Sequence, residues 1–452
     1  MTDIHNRLGA GKRGGEPARA AYVIAAVCDL NGILRGKRMA AEALGKLETQ
    51  GMRMPLSSVG VDIWGTDATG SGLTLGAGDT DGVCSPIGRG ALPVLPDPAA
   101  RLLPMWMRQE DDSPFYSDAR QVLAEVLGRF DALGLTPVVA TELEFHLIRP
   151  DTDAAAPVRL SSGAEPGEFD NIYSVSELSA ASQFLDEVHA LAETCGIDIE
   201  SAIAEGGPRQ FELTLRHQAD ALKLADDTVL LKQILRSVTS RHGLAACFMA
   251  KPYADRPGNG LHVHASILDR EMRNIFDDGG SEGTQALRHA VAGLIDSMAD
   301  LTLIFAPHLN SYRRLVPGSL APTTAAWGYE NRTSAIRIPA GPGAARRFEH
   351  RVAGADANPY LVLAAILAGA LDGMTRKAAP PAPVVGNAYD AAAPSLEPDW
   401  RAAIERFAAS PRAATLLHPE LVHYLAACKR QELEVFATRI SAFEFATYRS
   451  SV

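Results

Sequence analysis

Polar and apolar residues alternate in Thr141-Glu142-Leu143-Glu144-Phe145-His146-Leu147, which predicts a β-strand. Side chains of a strand alternate between its two faces, so Glu142, Glu144 and His146 should share one face. The same alternation is found in three other segments: Arg209-Gln210-Phe211-Glu212-Leu213, Gly260-Leu261-His262-Val263-His264-Ala265-Ser266-Ile267 and Arg347-Phe348-Glu349-His350-Arg351. Together the four segments predict strands whose polar face collects carboxylates, imidazoles and guanidinium groups.

The composition is that of a globular protein with two domains. A chain of 452 residues is long for a single core, and 46% apolar with 21% charged residues is typical of globular proteins. The net charge of −11 argues against nonspecific nucleic-acid binding. No segment approaches the roughly 20 apolar residues that span a bilayer. The five scattered cysteines are expected to be reduced thiols in a cytoplasm rather than disulfides or zinc ligands.

We divide the chain into three parts. Residues 1–18 predict a flexible tail, residues 19–110 a small sheet-rich domain, and residues 111–452 a larger α+β domain. Helical periodicity predicts that Ser117 is the N-cap of the first long helix. The predicted helices cover residues 117–133, 178–196, 219–243, 288–303, 358–374 and 400–448.

Six polar side chains have the chemistry of a divalent-metal site. Mg²⁺ and Mn²⁺ prefer hard oxygen ligands, sometimes with one imidazole, in octahedral geometry. The alternative is a set of solvated strand residues or carboxylate–arginine pairs, which does not explain so many of them beside Gly/Pro turns. The predicted ligands are Glu142, Glu144, Glu205, Glu212, His262 and Glu349.

A cluster of arginines follows in the last third of the chain. Guanidinium groups bind phosphates and carboxylates through two hydrogen bonds and remain charged. Divalent metals beside such a cluster indicate phosphoryl transfer from a nucleotide, although the chain has neither a Walker A loop nor a Rossmann glycine fingerprint. The arginines are Arg313, Arg314, Arg332, Arg337, Arg346, Arg347 and Arg351.

Longer motifs resemble signatures of the glutamine synthetase superfamily, and the similarity spans nearly the whole chain. They include Gly258-Asn259-Gly260-Leu261-His262-Val263-His264, Asn310-Ser311-Tyr312-Arg313-Arg314-Leu315-Val316-Pro317-Gly318 and Asn331-Arg332-Thr333-Ser334-Ala335-Ile336-Arg337-Ile338-Pro339. The γ-glutamylpolyamine synthetase branch is the most similar, because it shares Phe248-Met249-Ala250-Lys251-Pro252-Tyr253. The resemblance implies an α+β glutamine synthetase fold: an N-terminal β-grasp domain, and a C-terminal catalytic domain with a curved antiparallel sheet and flanking helices.

The resemblance also implies roles for the matched residues. Ligands of the metal that organises glutamate and the amine match Glu144, Glu205 and Glu212, and ligands of the metal that clamps the ATP phosphates match Glu142, His262 and Glu349. The ATP-phosphate region matches His264, Ser266, Arg337 and Arg347. Glutamate binding matches Arg314, Arg351 and Gly258, and Arg332 matches the arginine that stabilises the transferring phosphoryl group. In the family, ATP phosphorylates the glutamate γ-carboxylate and nitrogen then attacks the γ-glutamyl phosphate, from which water must be excluded.

One position bears on the nitrogen substrate. Glutamine synthetases carry a flap glutamate where this chain has Leu320. Leucine cannot accept a proton from ammonium but can pack against a carbon chain, which favours an organic amine. The family's ammonium-site aspartate and its neighbouring tyrosine align with Asp62 and Tyr173, with Asp67 as the alternative to Asp62.

Three further departures from the family concern the surroundings of the site. Arg209 stands where the family usually has glycine, and we expect its side chain to point to solvent. Pro257 replaces an asparagine that often contacts glutamate. Tyr389 lies near the position of a regulatory adenylylated tyrosine, and we expect it to be an ordinary loop residue.

The leading hypothesis is an ATP-dependent ligase that joins L-glutamate to a primary amine such as putrescine or another polyamine, with Mg²⁺ or Mn²⁺ as cofactor. Glutamine synthetase acting on ammonium is the alternative within the enzyme class, and a catalytically inactive scaffold is the alternative outside it. The resemblance implies a cytoplasmic dodecamer of two stacked hexameric rings, with active sites between subunits and Asp62 acting on a neighbour. No nucleic-acid or membrane partner is expected.

Overall fold

The computed structural model describes residues 20–74, 78–150 and 172–452, so the predicted tail at residues 1–18 lies outside it. The strands of its first sheet are β1 (Tyr22–Cys28), β2 (Leu34–Ala40), β3 (Met52–Pro55), β4 (Asp81–Pro86) and β5 (Ala100–Arg108). Their order is β2-β1-β5-β4-β3, with β1 and β5 parallel and the other neighbours antiparallel. This mixed sheet, with helix α1 (Leu44–Gln50) between β2 and β3, agrees with the predicted β-grasp arrangement. The boundary between residues 110 and 111 stays a prediction.

The second sheet contains the four segments of alternating polar residues. Its strands are β6 (Thr136–Ile148), β7 (Ile199–Ala204), β8 (Gln210–Leu215), β9 (Ala245–Cys247), β10 (Leu261–Leu268), β11 (Trp327–Tyr329), β12 (Ile336–Ile338) and β13 (Phe348–His350). The order is β11-β12-β13-β10-β6-β8-β7, with β9 paired to β6. All neighbours are antiparallel except β11 and β12, which are parallel. The four predicted segments are therefore consecutive strands, β13, β10, β6 and β8.

Helices make up much of the remaining chain. They are α2 (Ala119–Ala132), α3 (Val175–Ala180), α4 (Ser182–Thr194), α5 (Ala221–Arg241), α6 (Gln285–Met298), α7 (Thr302–Phe305), α8 (Pro359–Arg376), α9 (Trp400–Ala409), α10 (Pro411–Leu417), α11 (Pro419–Thr438) and α12 (Ala442–Tyr448). Among the described residues, no helix combines the length and apolar character needed to cross a membrane.

The helices differ from the sequence predictions at their ends and breaks. Asp118, not Ser117, caps α2, because its carboxylate accepts a hydrogen bond from the backbone N–H of Arg120 at 2.9 Å. The predicted helix at 178–196 is divided between α3 and α4, and that at 288–303 between α6 and α7. The predicted helix at 400–448 is divided into α9 to α12, and the prolines that begin α10 and α11 cannot donate to a preceding helical turn.

One large apolar core joins the two sheets. It includes Ala26 and Cys28 from β1 together with Leu143 and Phe145 from β6. Residues on the other face of β1, such as Val23, belong to a smaller core within the first sheet. Both faces of β1 are therefore buried, which explains why the strand is almost wholly apolar.

Helix α8 is buried along most of its length and packs closely against α6. A Cβ atom added to Gly293 would lie 2.1 Å from the carbonyl oxygen of Gly369, so only glycine permits this approach. The apolar face of the second sheet contributes to the same core, which leaves its polar face for the candidate site.

Candidate active site

Strand register places most of the predicted metal ligands opposite one another. Cβ atoms of directly opposed residues in antiparallel strands are about 5 Å apart, so the sheet itself brings such side chains together. Three pairs face each other in this way: His262 of β10 with Glu142 of β6, His264 of β10 with Glu349 of β13, and Glu144 of β6 with Glu212 of β8.

The remaining predicted ligand, Glu205, lies in the turn between β7 and β8. Its backbone N–H donates to the carbonyl of Gln210 at 2.9 Å. The Gln210 side chain accepts a hydrogen bond from the N–H of Gly207 and donates one to the carbonyl of Gly258, each at 2.8 Å. Gln210 thus anchors the turn to the loop before β10. Sequence reasoning gave Gln210 no role, although its position two residues before Glu212 places it on the same strand face.

The ligand atoms of these residues approach one another to within 4.8 Å in three overlapping groups. The groups are Glu144–Glu205–Glu212, Glu142–Glu212–His262 and Glu142–His264–Glu349. The first is the predicted glutamate-side set, and the other two share Glu142 and contain the predicted ATP-side set. Carboxylate oxygens with single imidazoles are a donor set that suits Mg²⁺ or Mn²⁺.

Two of the carboxyl groups are strongly affected by burial and by their neighbours' charges. Burial, followed by the charges of Glu142 and Glu144, raises the pKa of Glu212 to about 10. Burial and the charge of Glu144 raise the pKa of Glu205 to about 7. A divalent cation among these oxygens would offset the repulsion, so the residues present fit a metal.

Glu142 and Glu349 are held in the ionised form by their hydrogen-bonding neighbours. Burial opposes ionisation of Glu142, but its hydrogen bonds with His262 (3.1 Å) and His264 (2.7 Å) bring its pKa far below the usual value. Burial likewise opposes ionisation of Glu349, but Arg351 lowers the pKa of that carboxyl group to about 2. The two carboxylates are therefore available as anionic ligands near neutral pH.

Two predicted phosphate-binding arginines, Arg337 and Arg347, and the predicted glutamate-binding Arg351 contact the same groups. Arg337 Nη1 donates to Glu349 Oε2 at 2.8 Å, and Arg351 donates to the other oxygen of Glu349. Arg347 Nε donates to His264 Nδ1 at 3.1 Å. Each guanidinium group is thereby oriented by a strand residue, and its remaining N–H groups can bind an oxyanion.

A cavity of about 370 Å³ connects the carboxylates to the guanidinium groups. Arg314, which is buried and donates to the carbonyl of Val352 at 2.8 Å, lines the cavity together with the exposed Arg332 and with Gly258. Apolar and aromatic side chains line the rest: Ile172, Tyr173, Ile203, Pro257, Leu320 and Ala321. Sequence reasoning found Leu320 and Tyr173 but missed Ile172 and Ile203, which are not part of any polar motif.

Residues 116–448 match the family model of the glutamine synthetase catalytic domain. The chain belongs to the glutamine synthetase family. It is 37% identical to gamma-glutamylputrescine synthetase of Escherichia coli (strain K12) over 430 residues, which are 94% of this chain and 90% of the relative. It is 32% identical to gamma-glutamylethanolamide synthetase of Streptomyces coelicolor over 437 residues, 93% of this chain and 91% of the relative. A solved GmaS/ADP complex superimposes with a TM-score of 0.82 at 28% identity, covering 95% of this chain and 96% of that one.

The loop at residues 317–321 has a left-handed backbone at Leu320. Leu320 has a φ of 61° and is 60% exposed, yet it lines the cavity. The Tyr389 hydroxyl donates to the carbonyl of Ala321 at 2.9 Å. Tyr389 is therefore half-buried and anchors this loop through its hydroxyl group. The expectation that it is an ordinary residue rather than an adenylylated one stays a prediction.

Two predicted residues lie away from the cavity lining, and a third lies behind it. Asp62 is buried on its own chain, where its carboxylate accepts hydrogen bonds from the N–H of Thr66 (2.8 Å) and from Gln431 Nε2 (2.7 Å). Ser266 lies two positions beyond His264 on β10 and does not line the cavity. Glu349 is almost wholly covered by its arginine partners. The predicted action of Asp62 on a neighbouring subunit stays a prediction.

Arg209 does not point to solvent as the sequence analysis expected. Its side chain is completely buried, and Nη1 donates to Glu177 Oε2 at 2.6 Å. The expectation was wrong because a charged residue in a turn is usually solvated, whereas here helix α3 supplies a carboxylate partner.

His146 shares the predicted face of β6 but does not line the cavity. Its Nδ1 is hydrogen-bonded to Asn259 Oδ1 at 2.8 Å, and burial lowers its pKa to about 4. His146 is therefore neutral near pH 7 and connects β6 to the loop before β10.

Proposed function

We propose that this protein is an ATP-dependent ligase that joins the γ-carboxyl group of L-glutamate to a primary amine. The observation that carries the proposal is a single cavity lined both by metal-binding carboxylates with arginines and by apolar side chains that include Leu320. The first set suits phosphoryl transfer, and the second suits the carbon chain of an organic amine. Ammonium has no carbon chain to bury, so the apolar lining favours an amine over ammonium.

The proposed reaction has two steps. A γ-carboxylate oxygen of glutamate attacks the γ-phosphorus of ATP, and ADP leaves. The amine nitrogen then attacks the acyl carbon, the amine loses a proton, and inorganic phosphate leaves. Arg314, Arg351 and Gly258 would hold glutamate, and His264, Ser266, Arg337 and Arg347 would hold the ATP phosphates. Arg332 would stabilise the charge on the transferring phosphoryl group.

The six predicted ligands would hold Mg²⁺ or Mn²⁺, which supplies charge neutralisation for the phosphates. The buried side chains of Arg314 and Arg351 would orient the glutamate carboxylates. Arg314 is held by the carbonyls of Val352 and Arg351, and Arg351 is held by the carboxylate of Glu349. Apolar residues at the cavity would exclude water, which would otherwise hydrolyse the acyl phosphate.

The names of the relatives support an organic amine as the second substrate, but they refer to different amines. The names of the two relatives refer to putrescine and ethanolamine, which share a primary amino group and differ at the far end of the chain. Polyamines such as putrescine are one proposed class, and short monoamines are the other. Tyr173, Leu320 and, from a neighbouring subunit, Asp62 would contact the amine.

Release of ADP in the presence of ATP, Mg²⁺, L-glutamate and one nitrogen source at a time tests the proposal. The panel should contain ammonium, ethanolamine, isopropylamine, putrescine and a longer polyamine, with product mass confirming the γ-glutamyl amide. We expect kcat/KM for at least one organic amine to exceed that for ammonium. Faster turnover with ammonium at low concentration would identify a glutamine synthetase instead, and no glutamate-dependent ADP release would favour an inactive scaffold.

We also propose that the protein assembles into a homo-oligomer, a dodecamer of two stacked hexameric rings, in a cytoplasm. Helix α12 supports self-association, because Phe443 and Phe445 expose most of their surface to solvent within the single chain. All five cysteines are buried and unpaired, which is in keeping with a reducing compartment. Light scattering and negative-stain imaging would test the assembly, and a monomer that retains full activity would contradict it.

A further inference from the structure

The turn between β7 and β8 contains a residue whose backbone and side chain are both unusual. Arg209 has a φ of 57°, a left-handed conformation that favours glycine. Its side chain has no exposed surface, although a guanidinium group is costly to remove from water. A residue with two such unfavourable features persists only where its surroundings stabilise it. We therefore expect the contact between Arg209 and its partner to stabilise the β7–β8 turn.

The partner lies on the short helix beside the apolar part of the cavity. Glu177 accepts the hydrogen bond from Arg209 and is itself in the first turn of α3. Ser174 caps that turn, since its hydroxyl accepts a hydrogen bond from the N–H of Glu177 at 3.2 Å. Just before the cap, the N–H of Tyr173 donates to the carbonyl of Ala204 at 2.8 Å. Two contacts therefore connect this segment to the β7–β8 hairpin.

Both connected segments line the cavity. On one side are Ile172 and Tyr173, which are largely exposed, and on the other is Glu205, one of the predicted metal ligands. Tyr173 also has a positive φ, 61°, a backbone conformation that residues other than glycine rarely adopt. Its own backbone preference therefore does not stabilise this conformation. Its position therefore depends on the connections to the hairpin.

We propose that the Arg209–Glu177 ion pair is a positioning pair, which fixes the Ile172–Tyr173 side of the amine pocket relative to Glu205. The proposal rests on the proposed function, because it assumes that an amine occupies the apolar part of the cavity. Among the described residues, the ion pair contacts neither the proposed glutamate-binding residues nor the proposed ATP-binding residues. It therefore acts on amine binding alone, through the position of the Ile172–Tyr173 side of the pocket. We expect its loss to leave the pairing of Glu142, His262, His264 and Glu349 unchanged, because these residues lie on β6, β10 and β13.

Arg209→Gly tests this inference sharply, because glycine relieves the backbone strain at φ 57° while removing the guanidinium group. We expect the KM for the best amine to rise by about tenfold, since small displacements of positioning groups have large effects on bound geometry. The KM values for ATP and glutamate should stay within about twofold of wild type. Arg209→Lys, which keeps the charge, should recover part of the amine affinity.

Glu177→Gln removes the other partner, and the double variant tests whether the two residues act through one contact. We expect Glu177→Gln to raise the amine KM, and Arg209→Gly/Glu177→Gln to be no worse than Arg209→Gly alone. Arg216→Ala is the matched control, because Arg216 pairs with Asp198 at 2.6 Å at the exposed far end of the same hairpin. This control should leave the amine KM unchanged.

The outcomes separate this inference from the proposed function. If wild type shows no amine-dependent ADP release, the proposed function is wrong and the inference falls with it. If wild type is active but both Arg209→Gly and Glu177→Gln retain the wild-type amine KM, only the inference is overturned. Equal increases in the KM for amine, ATP and glutamate, or a lower thermal midpoint with unchanged kinetics, would also overturn it, because they indicate a purely structural role.

Discussion

The two ends of the cavity are built in different ways. The proposed phosphate end consists largely of side chains from four neighbouring strands, whose register fixes opposed pairs such as His262 and Glu142. The proposed amine end consists mainly of loop residues, although Ile203 lies on β7. Among the loop residues, Tyr173 and Leu320 both have positive φ and more than half of their surface exposed. The proposed phosphoryl-transfer residues thus lie largely on strands, whereas the proposed amine contacts lie mainly on segments that can change without disturbing the sheet.

The largest effect is expected at the phosphate end. Glu349→Ala removes a buried carboxylate, so that Arg351 loses its carboxylate partner and Arg337 keeps only Glu330. Loss of the proposed metal ligand should lower glutamate- and amine-dependent ADP release by about 1,000-fold. Glu282→Ala, at an exposed glutamate paired with Arg288, is the control and should retain wild-type activity. A folded Glu349→Ala protein with more than a tenth of wild-type activity would refute the metal assignment.

A smaller effect, on the free energy of unfolding, is expected where α11 contacts the loop that contains Asp62. Glu432 accepts from the N–H of Ile63 at 2.9 Å and from Lys429 at 3.0 Å, and neither charged side chain is exposed. Burial opposes ionisation of Glu432, but Lys429 lowers its pKa to about 2. Since the folded-state pKa is below the usual 4.5, ionisation of Glu432 contributes about 3 kcal/mol of stability above pH 4.5, and this contribution is lost as the pH falls towards 2.

Urea unfolding of wild type and Glu432→Gln between pH 7 and pH 3 measures this contribution. The difference in the free energy of unfolding should be largest near pH 7 and should narrow below about pH 4.5. Glu434→Gln is the control on an exposed position of the same helix and should match wild type throughout. A difference that does not change with pH would contradict the pKa assignment.

At the amine end, Leu320→Glu should change the choice of nitrogen source. A carboxylate can bind ammonium and accept its proton, so kcat/KM for ammonium should rise by about tenfold while that for alkyl amines falls. Leu320→Gln has nearly the same size without the charge and should not gain ammonium activity. If both variants behave alike, charge at this position does not control nitrogen choice.

The smallest effect is expected from Tyr173→Ala, which removes part of the apolar lining. The KM for the preferred amine should rise by about threefold, with little change for ATP, because an exposed ring contributes only part of its surface to ligand contact. Val175→Ala, on the exposed side of α3 and outside the cavity lining, is the matched control. Equal effects of the two changes would show that the tyrosine ring has no specific contact with the amine.

Much of the phosphate end could be predicted from residue order because its geometry is repetitive. Alternation in a strand fixes which side chains share a face, and antiparallel pairing of β6, β8, β10 and β13 then brings those faces together. The apolar lining at Ile172 and Ile203 could not be found in this way, since isolated isoleucines are also typical of an ordinary core. The helix breaks at Pro411 and Pro419 could have been predicted from the prolines themselves. The helical periodicity of residues 400–448 instead favoured a single helix.

The residue sequence was enough to predict the family and the strands of alternating polar residues, because both depend on local residue type and spacing. The replacement of a flap glutamate by Leu320 rests on the resemblance and stays a prediction. Tertiary contacts were needed to find that Arg209 is buried against Glu177 and that Tyr389 anchors the Leu320 loop. Glu177 is 32 residues from Arg209 along the chain, and Tyr389 is 68 residues from Ala321. No periodicity connects such distant residues, and only packing of the folded chain determines which of many polar groups becomes the partner of a buried charge.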